Sequence, residues 1–442
     1  MKQIAFVILI MMLAVPVFAS GEKEAASKAG PAEITFWHIW DGTRTPLIEQ
    51  EIADFNKIHP EIKVSHTLIA AQGMQEKYLT AIAGGDPPNV IMIRGADIPA
   101  FASRKALVLL DGYVKKDGLK LDEIFFEGEI KSHYYKGSAY SLPVVTGGGN
   151  FMLLWNKSIF KEAGLDPEKG PTTWDDMYEI SKRLAQLEDG KLKRMALNPL
   201  AGGSIPARNT PYQVWSFGNN ASYMSEDGKQ ITLDSKEGVE TLEYILKLID
   251  LYGGIENVAS ISGPDRNTNR LAFYNGQSVM VNEGSYIFFM MSKEAPNLSY
   301  GAAEMPYNSK NPKAASHTPL EGGWGYAITA GSKTPEASWE FVNYVTAGKG
   351  NRKFCLAQKR PSPVKEYSND PELSGGNSYW PVVLNALDHG VPVTVVPVSP
   401  KIKDVIQTME ENVWYHKLTP QEAASRGKQE AQKILDEYWA KQ

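Results

Sequence analysis

Ile34 and Phe36 alternate with Thr35 and Trp37, the period of two that marks a short strand. Ile48, Ile52, Phe55 and His59 then recur at helical spacing, and Pro60 closes that helix. Ile62, Val64 and His66 alternate again and predict a second strand. Met74, Tyr78 and Ile82 form another helical face, stopped by Gly84-Gly85-Asp86-Pro87-Pro88. Residues 89–93 (NVIMI) are a short apolar run, as a strand covered on both faces requires. Strand, helix, strand, helix, strand predicts a parallel α/β sheet.

The pattern recurs after residue 140. Residues 151–155 are apolar, and Thr173 with Asp176 three positions later reads as a capped helix start. Leu242, Ile245, Leu246 and Ile249 make a helical stripe, and residues 279–281 read as a buried strand. Residues 325–329 predict a strand, followed by Thr334-Pro335, an N-cap and first-turn proline. Residues 402–415 are helical, and Thr419-Pro420-Gln421-Glu422 is a second capping box. At 442 residues the chain allows two or three domains of about 150 residues. Two α/β lobes suit that length better than one oversized sheet.

Composition narrows the class. Apolar residues make up 43% and charged ones 22%, which excludes disorder or coiled coil for the whole chain. A net charge of −5 with no long basic run gives no electrostatic reason to bind nucleic acid or an anionic membrane. The single Cys355 excludes an internal disulfide and a cysteine zinc cluster. Lys2, the apolar stretch 4–17 and the small residues Val17 and Ala19 read as a cleaved signal peptide over residues 1–19. Ser20, not cysteine, follows, so no lipid attachment is expected. Residues 20–31 (SGEKEAASKAGP) read as a flexible leader.

Catalytic signatures are missing: there is no G-x-S-x-G, no H-E-x-x-H and no phosphate loop ending in Gly-Lys-Ser/Thr. The seven histidines are scattered without ligand spacing, so no metal and no cofactor is expected. Gly147-Gly148-Gly149 lacks the dinucleotide spacing and reads as unusual backbone at a crossing between lobes. Of the ten tryptophans, Trp37, Trp339, Trp414 and Trp439 read as core, and Trp155 and Trp174 as packing residues. Trp40, Trp215, Trp324 and Trp380 lie in turn-like or irregular sequence, where an indole face can cover the apolar face of a sugar ring. Polar residues accompany them. Asp41 follows Trp40, and Arg94 and Asp97 follow the third strand, at carboxyl ends where open sheets bind ligands. Asn150 closes the glycine segment, Glu283 and Ser285 follow residues 279–281, and Glu321 precedes Trp324.

With these residues the chain resembles the extracellular solute-binding proteins of family 1, the group that includes the maltose-binding protein. The resemblance rests on Ile34-Thr-Phe-Trp-His-Ile-Trp40, Ala83-Gly-Gly-Asp-Pro-Pro-Asn-Val90, and Leu142-Pro143 leading to Leu154-Trp-Asn-Lys-Ser-Ile-Phe160. It rests further on Ala163-Gly-Leu-Asp166, Pro171-Thr-Thr-Trp174 and Gly322-Gly-Trp-Gly-Tyr-Ala-Ile328 with Trp339-Glu-Phe341. Each is weak alone, and their order and spacing are specific. The resemblance implies a two-lobed α/β periplasmic-binding-protein fold with a ligand cleft between lobes joined by a multi-segment hinge. Crossings are expected near residues 145–150, 304–306 and 360–363, giving lobes of 32–144 plus 304–360 and of 145–303 plus 361–442. Carried over by position, Trp40, Asp41, Arg94 to Asp97, Glu283 to Tyr286 and Trp324 look like cleft residues. Trp155 stands where the family often has Tyr, and Asn89 where it has Asp; both read as changes of packing or turn.

The implied function is the substrate-binding component of an ABC importer: a monomer that takes a carbohydrate and hands it to membrane permease subunits without catalysis. It would work in the periplasm or outside the cell. Asp, Glu, Arg and Asn would pair with hydroxyls while indoles stack. A phosphorylated small molecule such as glycerol phosphate is the alternative ligand, with Arg44 and Arg94 as its cations. A secreted glycoside hydrolase is the enzyme alternative, and it requires two catalytic carboxylates that no motif marks.

Overall fold

A computed structural model describes residues 30–146, 152–200, 210–261, 266–320 and 322–441. The stretch expected as a signal peptide, most of the expected leader, the triple glycine, Asn150 and Glu321 lie outside them. The first sheet has strands in the order Ile62–Leu68, Ala32–His38, Val90–Arg94, Trp324–Ile328, Leu142–Val145. The first three run parallel, as expected. Trp324–Ile328 enters antiparallel to both of its neighbours, so the sheet is mixed. Its two faces are read directly from the third strand. Val90 and Met92 join one apolar cluster with Ile34, Phe36 and Trp339, while Ile91 and Ile93 join another with Tyr78 and Phe101. The apolar run 89–93 is apolar because both faces are covered by helices.

The second sheet, Met280–Glu283, Met152–Asn156, Tyr300–Glu304, is antiparallel throughout and not a repeat of the first. Met152 and Leu154 face one cluster, Leu153 and Trp155 the larger one. That larger cluster also takes the helices Lys236–Leu251, Ser399–Trp414 and Pro420–Trp439. Both capping boxes form, at Thr173 with Asp176 and at Thr419 with Glu422. Thr334 is different. It precedes Pro335–Thr346 without a side-chain cap, because its hydroxyl donates to Glu33 O and accepts from Asn89.

The two family departures have local accounts. Asn89 Oδ1 accepts from the Thr35 amide at 2.9 Å and its Nδ2 donates to Ser332, tying the end of the sheet remote from Trp40. Trp155 fits because its neighbours are bare: a Cβ at Gly170 would come 2.6 Å from its ring, and Gly301 is opposite it in the sheet.

Two stretches beside the expected crossings pack as follows. Tyr307 to Asn311 remain on the second lobe, where Trp174 N donates to Tyr307 O and Asn308 N to Gly218 O. Thr318–Leu320 pairs in parallel with Gly390–Pro392. Likewise Val364 and Leu373 pack in the first lobe's core, and Phe126 N bonds Pro363 O. Helix Trp380–Asp388 has Trp380 in the first lobe's cluster and Val383 and Leu387 in the second's. Val145 ends the last strand of the first sheet and Met152 opens a strand of the second; the stretch expected as the first crossing lies between them, mostly outside the described residues. Among the described residues no helix is long and apolar enough to cross a membrane.

Candidate functional site

The strand ends of the first lobe gather at one edge of its sheet. Trp324 is opposite Arg94 on one side and Val145 on the other, with an irregularity between Trp324 and Gly325. Glycines make that approach possible. A Cβ at Gly323 would strike the Val145 carbonyl oxygen, and the φ of +79° at Gly322 suits only glycine without strain. The loop is fixed by Gly323 N donating to Glu129 Oε2 at 3.2 Å and by Gly95 N donating to Gly323 O. Trp324 is half-buried, and its ring meets Trp40 edge to face, with centroids 6.4 Å apart.

Trp40 is buried and held on several sides. Its Nε1 donates to Tyr326 Oη at 3.0 Å, its carbonyl accepts from Thr45 Oγ1, and the Arg44 guanidinium lies 5.0 Å from its ring centre. Asp41 is exposed and pairs with Arg44 at 2.6 Å. Arg94 and Asp97 form a two-pronged pair at 2.7 and 3.0 Å with both side chains largely buried. Each neutralises the other, so this loop presents a closed ion pair and not a bare cation.

Glu283, at the end of its strand in the second lobe, is opposite Met152, the first described residue after the crossing. Its Oε2 accepts from Tyr286 Oη. Ser285 between them is fully buried, and its Oγ meets no hydrogen-bond partner. Trp215 is elsewhere. It belongs to helix Pro211–Ser216, not to irregular sequence, and packs at 1% exposure against Trp174 and Tyr244. Its indole donates to Pro199 O, so the structure places it in the second lobe's core, away from the strand ends. Trp380 likewise opens a helix and donates to Ser368 O.

Sequence reasoning missed Arg360, although it named the stretch that carries it. Arg360 is 8% exposed, its Nη2 donates to Thr146 O at the first crossing, and its Nε has no partner. Burial, helped by the like charge of Arg44, pushes this guanidinium down to about 10, against the opposing pull of Cys355, Glu129 and Tyr286. It stays charged near neutrality. Arg44 and Glu129 come from the first lobe and Tyr286 from the second, so both lobes converge on Arg360. Among the described residues no carboxylate reaches ion-pair distance of it, and a buried cation so placed is costly to hold. Among the described residues no group of three metal-ligating side chains comes together.

A profile of the bacterial extracellular solute-binding proteins matches residues 41–351. The sn-glycerol-3-phosphate-binding periplasmic protein UgpB of Escherichia coli (strain K12) is 23% identical over 425 residues, covering 91% of this chain and 92% of its own. Among solved structures, the sugar-binding protein MalE of Xanthomonas citri superimposes with a TM-score of 0.76 at 17% identity, over 92% of this chain and 98% of that one. CpMnBP1 with mannotriose bound gives a TM-score of 0.76 at 22% identity, over 90% and 100%.

Proposed function

We propose, since the chain belongs to the bacterial extracellular solute-binding protein family, that it captures a sugar or short oligosaccharide between its lobes and delivers it to the permease of an ABC importer. The observation that carries this reading is the Trp40–Trp324 pair at the edge where both lobes meet. An exposed indole face buries the apolar side of a sugar ring, while Asp41, the Arg94–Asp97 loop, Glu283, Ser285, Tyr286 and Arg360 would meet its hydroxyls. A ligand touching both lobes stabilises their closed arrangement by its differential affinity. The protein works as a monomer, binds without catalysis, and needs no cofactor or nucleic acid. Export through a cleaved signal peptide would leave an unlipidated chain starting at Ser20 in the periplasm or outside the cell.

A thermal-shift panel of mannotriose, maltotriose, other oligosaccharides and glycerol 3-phosphate tests this. A ligand at 100 times its Kd adds about 2.7 kcal/mol of stability. Stabilisation by an oligosaccharide recovered uncleaved supports the reading, and a panel without effect overturns it. One observation favours a second reading, a phosphorylated small molecule such as glycerol phosphate. No carboxylate among the described residues lies within ion-pair distance of Arg360, so its charge is open to an oxyanion.

A further inference from the structure

The turn carrying Trp40 and Asp41 is held by a row of groups that the binding chemistry leaves unused. The Trp40 amide donates to His38 Nδ1 at 3.1 Å. An accepting ring nitrogen carries no proton, so the proton of His38 is on Nε2. That nitrogen lies 2.9 Å from His66 Nδ1, with the two rings stacked at 5.1 Å. His66 Nδ1 therefore accepts, and its own proton sits on Nε2, which faces Glu49 Oε1 at 3.9 Å. His38 is fully buried and His66 about a quarter exposed, so the row leads from the surface to the Trp40 amide.

We infer that His66, acting through His38, is a positioning residue for the Trp40–Asp41 turn and makes ligand capture sensitive to acid. This rests on the reading of that turn as part of the binding site. A proton on His66 turns both of its nitrogens into donors. The Nε2–H of His38 then meets a donor instead of an acceptor. Moving the His38 proton to Nδ1 only shifts the conflict, because the Trp40 N–H already points there. A buried donor facing a donor costs the full loss of a hydrogen bond, and releasing the turn relieves it.

One carboxylate, Glu49, faces the row, at its outer end. From helix Thr45–Ile58, Glu49 faces His66, while Glu51 is buried nearer Tyr326, the acceptor of the Trp40 indole. Arg44 lies over Trp40 and pairs with Asp41. Phe36 packs on His38 at 5.1 Å. Lys77 lies over Trp37, the next residue along and on the other face, and Glu33 pairs with Lys63 at the far end of the same strands. Burial, and after it His66, pushes His38 down to about 4, which keeps His38 itself neutral well into mild acid.

Nitrogen-15 NMR on the full mature chain, from about pH 8 to about pH 5, follows the imidazole nitrogens and the Trp40 amide without any ligand. In parallel, calorimetry measures Kd for mannotriose, maltotriose and glycerol 3-phosphate at each pH. The Trp40 amide should move with the midpoint of His66, and Kd for the sugar or phosphate that binds should rise about tenfold below it. His66→Asn keeps an acceptor and cannot titrate, so its Trp40 amide and Kd should not change with pH. A Trp40 amide that ignores the titration of His66 overturns the inference. An amide that follows His66 beside a Kd that stays flat overturns the acid effect on capture and the placement of Trp40 in the site. If none of the three compounds binds at any pH, the proposed function fails, and the amide titration still decides the positioning role.

Discussion

Gly301→Ala isolates the reason why this chain can carry Trp155. Gly301 and Trp155 are opposite each other in the second sheet, and Trp155 is buried in the larger cluster. A Cβ at Gly301 would lie 2.7 Å from Trp155 Nε1 and closer still to the adjoining ring carbons, where 3.4 Å or more is ordinary contact. The ring has nowhere to slide. Its far edge is stopped at Gly170, and its Nε1 is held by Pro167 O at 2.9 Å. Overpacking of this kind costs about 1–3 kcal/mol. Losing the indole hydrogen bond adds about 1 kcal/mol. The stiffer unfolded chain returns about 0.4–1 kcal/mol. The net loss is about 1–3.5 kcal/mol, or roughly 2–14 °C in Tm for a lobe of this size. Differential scanning calorimetry measures it. Adding Trp155→Tyr should recover most of the loss, with a coupling above about 1 kcal/mol in the double-mutant cycle. A Gly301→Ala protein that melts within about 1 °C of wild type would refute the steric account.

Trp324→Ala should weaken binding of the best oligosaccharide by about 1–3 kcal/mol in calorimetry, and an unchanged Kd removes Trp324 from the site. Arg360→Gln should weaken glycerol 3-phosphate more than mannotriose; equal losses dismiss the phosphate reading. Glu410 is buried, accepts from the Tyr212 amide at 2.6 Å, and is pushed up to about 8, chiefly by burial. Its neutral form therefore contributes stability that is complete below about pH 4.5 and lost as pH rises through about 8. Glu410→Gln should gain on wild type across that window by up to about 1.4 kcal/mol per pH unit in urea titrations; a constant difference contradicts the burial argument.

Much of the first lobe was legible because its strands and helices obey simple periods. The run 89–93 announced a strand covered on both faces, and Val90 to Ile93 do alternate between two cores. Capping boxes at Thr173 and Thr419 were legible because both partners lie within one helical turn. Strand direction was not, since a period of two is the same for parallel and antiparallel pairing, and Trp324–Ile328 arrives from the other lobe. Trp215 misled because its helix is short and begins after Thr210-Pro211, so no stripe announces it. Arg360 and the His38–His66 contact escaped because both depend on residues far apart in the chain: Thr146 for one, the pairing of two strands for the other.

The place of Trp324–Ile328 in the first sheet governs the order in which this protein can be made. That strand sits between Val90–Arg94 and Leu142–Val145 and joins them. A ribosome that has finished residue 145 has supplied both outer portions of the sheet but not the piece that unites them. About 180 residues must follow, roughly 10–35 s of synthesis. Throughout that interval the first-lobe strands face a gap one strand wide, while the second sheet is already complete in sequence by Glu304. The amino-terminal half thus stays unsealed until nearly three quarters of the polypeptide has emerged, and the sheet that holds the first described strand closes after the second sheet is already complete in sequence.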